Sequence, residues 1–195
     1  MQDAGNRYET ERLRFELALR MIGHEARTQT ISLCTGLSHD RIRKIYSRYF
    51  SGGRGGVRRR RGKSPRQTVP FVRNAVHQLE ATTLTYLYVQ GGLLRLGADG
   101  VQARWLRPDV EYGHRVCRSY ETYQLLHPRC LFTFEWAWNL LQSLSGDGDL
   151  GLTRCHDCGL DYLHDRYGLN FHQCPACEIR TGRSRRPGHG SFARA

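Results

Sequence analysis

Four cysteines towards the C-terminus carry the clearest chemical signal. Cys155-His-Asp-Cys158 and Cys174-Pro-Ala-Cys177 form a C-x2-C-x15-C-x2-C pattern. Two residues between cysteines let one tight turn deliver both sulfurs to a single ion. Two such turns complete the tetrahedral four-sulfur shell that zinc prefers. Gly159 after the first pair and Pro175 inside the second suit those turns. The expectation is one structural zinc ion per chain, held by Cys155, Cys158, Cys174 and Cys177. Two disulfides would fit an oxidising compartment, and redox work at one C-x-x-C leaves the other pair unexplained. With every position held by protein, no site stays open for water, so the metal is expected to be structural. His156, His164 and His172 lie close in sequence, but the four cysteines need no substitute, so the histidines read as surface or supporting groups. In the spacer, Tyr162, Leu163, Tyr167, Leu169 and Phe171 are expected to form a hairpin with a small core. Cys34, Cys117 and Cys130 sit beside apolar neighbours and read as small buried hydrophobes.

The second signal is cationic. From Thr28 to Tyr46 the chain has the layout of a helix-turn-helix. Ile31 faces inward from the first helix, Ser32 is small where the helices cross, and Gly36 permits the turn. Leu37, Ile42 and Ile45 supply the other half of the shared core. Ser38 caps the second helix, and His39 opens its first turn. Its outer face offers Arg41, Arg43, Lys44 and Arg48 to phosphates or guanine edges in a major groove. Arg58, Arg59, Arg60 and Arg61 are weaker candidates for sequence-independent phosphate contacts, and the tail arginines weaker still.

These residues need elements to position them. Apolar spacing predicts helices over about 9–23, 26–35 and 38–48, then 69–89, 111–126 and 131–144. The last is bulky on most sides, so it is expected either to sit at the centre of the fold or to be poorly covered and meet a partner. Residues 93–108 are ambiguous, with a turn at 97–100. The Gly- and Arg-rich stretch 51–68 reads as a linker with no core position in it. The predicted fold class is mainly α, with an N-terminal helix-turn-helix, a helical core and a C-terminal four-cysteine zinc module. The expected divisions are 1–50 for the N-terminal helices, 51–68 for the linker, 69–150 for the helical core and oligomerisation region, 151–180 for the zinc module and 181–195 for a disordered basic tail.

Composition narrows the class. The chain has 195 residues, with 30 Lys and Arg against 18 Asp and Glu, a formal charge of +12. Such a surplus favours a polyanionic partner. No apolar run reaches the ~18 residues a spanning helix needs, so no membrane is expected. The first residues do not read as a secretory signal, which points to the cytoplasm. An enzyme is not expected. No nucleophile–base pair has meaningful spacing, and Gly62-Lys63-Ser64 only mimics the end of a phosphate loop. The earlier glycine that loop needs is Val57, and Pro65 spoils the helix start.

The chain resembles the FlhC family, the larger subunit of the bacterial flagellar master transcriptional activator. The likeness runs in order over roughly residues 10–180. It includes Thr35-Gly-Leu-Ser38, Lys63-Ser-Pro65, Pro70-Phe71, Asn74-Ala-Val-His77 and Tyr120-Glu-Thr-Tyr123, then the Trp-bearing helix and the paired cysteines. The stretch 52–62 is more basic than the family's loop, and Val72-Arg-Asn replaces an aromatic pair. The resemblance implies a mainly helical, DNA-binding activator subunit with zinc on Cys155, Cys158, Cys174 and Cys177. It implies a smaller FlhD-like partner, in a hetero-oligomer of four FlhD and two FlhC chains, and recruitment of RNA polymerase to flagellar operons. The rival reading is an RNA-binding or ribosome-associated zinc protein that uses the arginine arm and aromatics on single strands.

Overall fold

The structure is a computed structural model that describes residues 2–50, 56–60, 62–97, 100–104, 107–145, 148–168 and 172–182, without the side chains of 2–6. Arg61, Leu169, Phe171 and the tail beyond Gly182 lie outside the described residues. The described chain is mainly helical, with eight helices and two small antiparallel sheets.

The N-terminal part holds α1 (Gln2–Gly23), α2 (Thr28–Thr35) and α3 (His39–Tyr49). Helix α1 starts earlier than the apolar spacing alone predicts. Its stripe of Leu17, Ala18, Met21 and Ile22 is buried. Beyond the arm come α4 (Val69–Val72) and α5 (Ala75–Gln90), where one helix over 69–89 was expected. Asn74 makes the break: its backbone is extended, and its side-chain oxygen accepts from the His77 amide at 3.0 Å, which caps a new helix.

The ambiguous stretch resolves into a hairpin, β1 (Leu94–Gly97) with β2 (Gly100–Ala103), registered Leu94 to Ala103. Helix α6 (Val110–Leu126) is capped by Asp109, and α7 (Phe134–Leu144) begins later than expected. Thr133 is its extended N-cap position, and Leu131 stays 42% exposed. The expectation that helix 131–144 is poorly covered is overturned. Phe134, Ala137, Trp138, Leu140, Leu141 and Leu144 are all buried by this chain's own α5, α6 and hairpins.

The main core runs as one apolar cluster from Leu17 to Leu163. Helices α1, α2 and α6 meet closely at Gly113, where a Cβ would lie 2.5 Å from Leu17 Cδ2 and 3.1 Å from Cys34 Cβ. Cys34 and Cys117 are buried there as expected, and burial holds both thiols well above their usual pKa. Cys130 is only half-buried.

Buried acids knit the elements together. Glu80 on α5 accepts from the Tyr123 hydroxyl and from the Leu131 amide at 2.9 Å. Glu135 on α7, 1% exposed, accepts from the Arg27 amide at 2.7 Å and the Ser64 hydroxyl at 2.8 Å. This last contact ties the basic stretch to the body. The Tyr46 hydroxyl donates to the Val57 carbonyl at 2.5 Å, and Asn139 donates to the Gln67 carbonyl at 2.9 Å. Val57 packs against the core, so the expectation that nothing in 51–68 can be core is corrected. Val57 packs there with its carbonyl satisfied by Tyr46, beside the polar anchors at Ser64 and Gln67.

Helices α1 and α6 are joined by Arg20, whose guanidinium grips Glu121 at 2.8 and 2.5 Å, while His24 reaches the same carboxylate at 2.8 Å. Hydrogen bonding from Arg20 holds the Glu121 carboxyl below its usual range, against the opposing effect of burial. A carboxylate depressed in the fold stabilises it above the unfolded pKa, and that stability is lost as pH falls through the folded value. Glu121→Gln is therefore expected to cost about 1 kcal/mol at neutral pH, a modest figure because the pair is partly exposed. The gap in melting temperature from the wild type should close on acidification below the ordinary carboxylate range. A gap that stays constant down to strongly acidic pH contradicts this assignment.

Candidate metal centre and cationic helix face

Strands β3 (Leu150–Arg154) and β4 (Asp161–Asp165) pair antiparallel, from Leu150–Asp165 to Arg154–Asp161. The first cysteine pair occupies the turn between them. The expected hairpin lay between the two cysteine pairs; the observed one flanks the first pair instead, since β3 begins before Cys155. In the turn, Gly159 adopts a left-handed φ of +72° and its amide donates to the Cys155 carbonyl at 3.0 Å. The second pair begins at Cys174, which is the extended N-cap of α8 (Pro175–Thr181), with Pro175 in the first turn.

These turns bring the four sulfurs within 4.8 Å of one another, and Cys158 Sγ lies 3.6 Å from Cys174 Sγ. Tetrahedral zinc with bonds near 2.3 Å separates its sulfurs by about 3.8 Å, so the cage has the right size. The backbone prepares it. The Cys174 amide donates to Cys155 Sγ at 3.2 Å and the Cys177 amide to Cys174 Sγ at 3.4 Å. Burial alone would raise the Cys155 pKa, but the amides of Cys174, Cys158 and Asp157 outweigh it and lower the thiol to about 6. Burial and the neighbouring thiols push Cys177 up to about 12. The Cys155 thiolate forms readily, while Cys174 and Cys177, both raised, call for a cation, as a metal-binding cluster requires. The four cysteines could therefore hold a metal ion such as zinc. Cys155, Cys174 and Cys177 are buried and Cys158 is exposed.

Among the described residues the ligating group contains only these cysteines. His156 and His172 are exposed with rings 5.1 Å apart, and His164 is half-buried with Nδ1 on the Asp165 carbonyl. Of the expected spacer core, Tyr162 and Leu163 are buried, but Tyr167 is 80% exposed at the far end of the hairpin. The sulfur cluster has its own small core of Cys155, Tyr162, Cys174 and Cys177. It leans on α5. Gln78 Nε2 donates to the Leu163 carbonyl at 2.7 Å, and the Leu163 amide donates to Thr82 Oγ1 at 3.1 Å. Neither residue was singled out from the sequence, because a buried glutamine and threonine on a helix carry no pattern of their own.

The other site residues lie on α3. Helix α2 ends at Gly36, left-handed at φ +68°, whose amide returns to the Ser32 carbonyl. Thr35 Oγ1 accepts from the Leu37 amide, and Ser32 Oγ donates to the Leu37 carbonyl at 2.8 Å. Ser38 then caps α3, accepting from the Arg41 amide at 3.3 Å. Ile31, Leu37, Ile42 and Ile45 are buried between the two helices. That packing turns His39, Arg41, Arg43, Lys44 and Arg48 outward, and all are exposed. Two of the cations are spoken for: Arg41 meets Glu11 at 2.6 Å and Arg43 meets Asp40 at 2.5 Å. Lys44 and Arg48 have no ion pair among the described residues, and the Arg48 guanidinium lies over the Tyr49 ring. Of the arm, Arg58 and Arg59 are exposed, while Arg60 is anchored to Glu25 at 2.7 Å.

No protein-family model matches this chain, and no curated protein is significantly similar to it in sequence. No described helix is long and apolar enough to cross a membrane.

Proposed function

We propose that this chain is a DNA-binding transcriptional regulator subunit of the FlhC kind, in which α2 and α3 form a helix-turn-helix and the cysteine cluster holds one structural zinc. The observation that carries the reading is the outer face of α3. A capped helix of 11 residues, buried along Ile42 and Ile45, presents His39, Arg41, Arg43, Lys44 and Arg48 to solvent on a chain of net charge +12. Phosphate neutralisation supplies most of the affinity, and a few side chains from α3 add base choice. Arg41 and Arg43 exchange their exposed acidic partners for phosphates at little cost, because such surface pairs are worth about 0–1 kcal/mol. The zinc shell is filled by protein, so the metal supplies folding free energy and no chemistry, and the protein is not an enzyme. The resemblance adds an FlhD-like partner subunit and RNA polymerase at flagellar promoters, in the cytoplasm. Because α7 is buried by its own chain, the partner meets another face.

Full-length protein is expected to bind duplex DNA with an affinity that falls steeply between low and physiological salt, by about 0.9 in log–log slope per phosphate contacted. Duplex DNA should outcompete RNA of equal length. A flat salt dependence removes the electrostatic basis of this reading, and preference for single-stranded RNA replaces it with the RNA-binding alternative.

A further inference from the structure

The arm that follows α3 and the amino ends of α2 and α3 enclose a cleft of about 530 Å³. Arg27, His39, Arg43, Arg59, Arg60, Lys63 and Arg66 line it, and no carboxylate does among the described residues. The acids that balance these cations stand outside the lining: Glu135 is 3.8 Å from Arg27, Asp40 is beside Arg43, and Glu25 takes Arg60. Arg59, Lys63 and Arg66 are exposed and have no ion pair among the described residues. Leu33 and Trp138 contribute apolar surface to the lining, and low-dielectric surface beside cations strengthens their field.

The cleft is built, not incidental. Its arm is held by the Tyr46 bond to Val57, by Arg60 on Glu25, by the Arg27 guanidinium on the Lys63 carbonyl, and by Ser64 on Glu135. An arm anchored in this way loses less backbone freedom when an anion arrives. His39 and Arg43 belong both to the cleft and to the exposed face of α3. A ligand laid along α3 therefore continues into the cleft, which favours an extended polyanion over a small one.

We propose that this cleft seats the sugar–phosphate backbone of the duplex beside the groove that α3 occupies, so that the arm acts as a clamp indifferent to base sequence. The proposal rests on the reading of α3 as a groove helix and names a second contact for the same duplex. The test uses the full chain and a short duplex of mixed sequence, with affinity followed across a salt series. The triple variant Arg59→Ala/Lys63→Ala/Arg66→Ala is compared with Lys44→Glu/Arg48→Glu. The triple variant should lower the log–log salt slope by roughly 2 to 3, since each lost phosphate contact removes about 0.9. Lysine at positions 59 and 66, with Lys63 kept, should restore the slope, and circular dichroism should show an unchanged fold throughout.

An unchanged slope in the triple variant overturns the clamp and leaves the α3 reading standing. Loss in the triple variant with full binding by the α3 variant overturns the α3 reading and the shared duplex with it. Tighter binding of single-stranded RNA, abolished by the triple variant, assigns the cleft to RNA and overturns the duplex assignment.

Discussion

Replacing Cys174 by serine is expected to take bound zinc from one ion per chain to none measurable and to unfold the C-terminal module. Cys174 does three things at once. Its sulfur lies 3.6 Å from Cys158 Sγ, it caps α8 by accepting from the Cys177 amide, and its own amide donates to Cys155 Sγ. Zinc in comparable four-ligand modules contributes about 10–16 kcal/mol of apparent binding free energy, much of it coupled to folding. Even a loss of about 5 kcal/mol lowers the melting temperature of a chain this size by roughly 10–20 °C. The effect should reach α5, because the backbone of Leu163 is hydrogen-bonded on both sides to Gln78 and Thr82. Elemental analysis and a thermal melt of the purified variant check this. Full zinc content with an unshifted melt contradicts it. A strong chelator applied to the wild type should reproduce the variant's melt.

The second large effect falls on nucleic-acid binding. Lys44→Glu/Arg48→Glu is expected to weaken duplex affinity by about 30- to 1,000-fold at low salt. Each reversal replaces an attraction of about 1 kcal/mol with a repulsion of similar size at contact distance in water. The pair then costs on the order of 2–4 kcal/mol, which converts to that range. Lys44 and Arg48 are the sharpest probes because neither is held by an acid among the described residues. Reversing Arg41 or Arg43 would also disturb Glu11 or Asp40. Both side chains are exposed and away from the core, so stability should change by no more than about 0.5 kcal/mol. Fluorescence anisotropy with a labelled duplex measures the affinity, and a melt confirms the fold.

Spacing alone was enough for the features whose signal is local. The C-x2-C pairs need only their turns, and both turns form, with Gly159 left-handed and Pro175 opening α8. The α2–Gly36–Ser38–α3 unit is likewise short-range: a left-handed glycine, a serine cap and the apolar side chains of two adjacent helices. What stayed hidden depends on contacts distant in sequence. The break at Asn74 came from a cap competing with continuous helical spacing. Strands β1 and β2 hold only four residues each, too few for alternation to outweigh their glycines. The buried acids Glu80 and Glu135 look like ordinary surface glutamates in sequence. They gain their roles from Tyr123, Leu131, Arg27 and Ser64, each at least 43 residues away along the chain. The bulky face of α7 suited a partner as well as a core; its burial by α5, α6 and the hairpins decides for the core.

That α3 enters the major groove is tested most directly by methylation interference on duplexes selected by the full chain from a randomised pool. Methyl groups on guanine N7 project into the major groove, and those on adenine N3 into the minor groove. Bound duplexes should be depleted of N7-methylated guanines at a short block of positions, and the Lys44→Glu/Arg48→Glu variant should lose that block. Interference confined to adenine N3, or a block left intact in the variant, would contradict it.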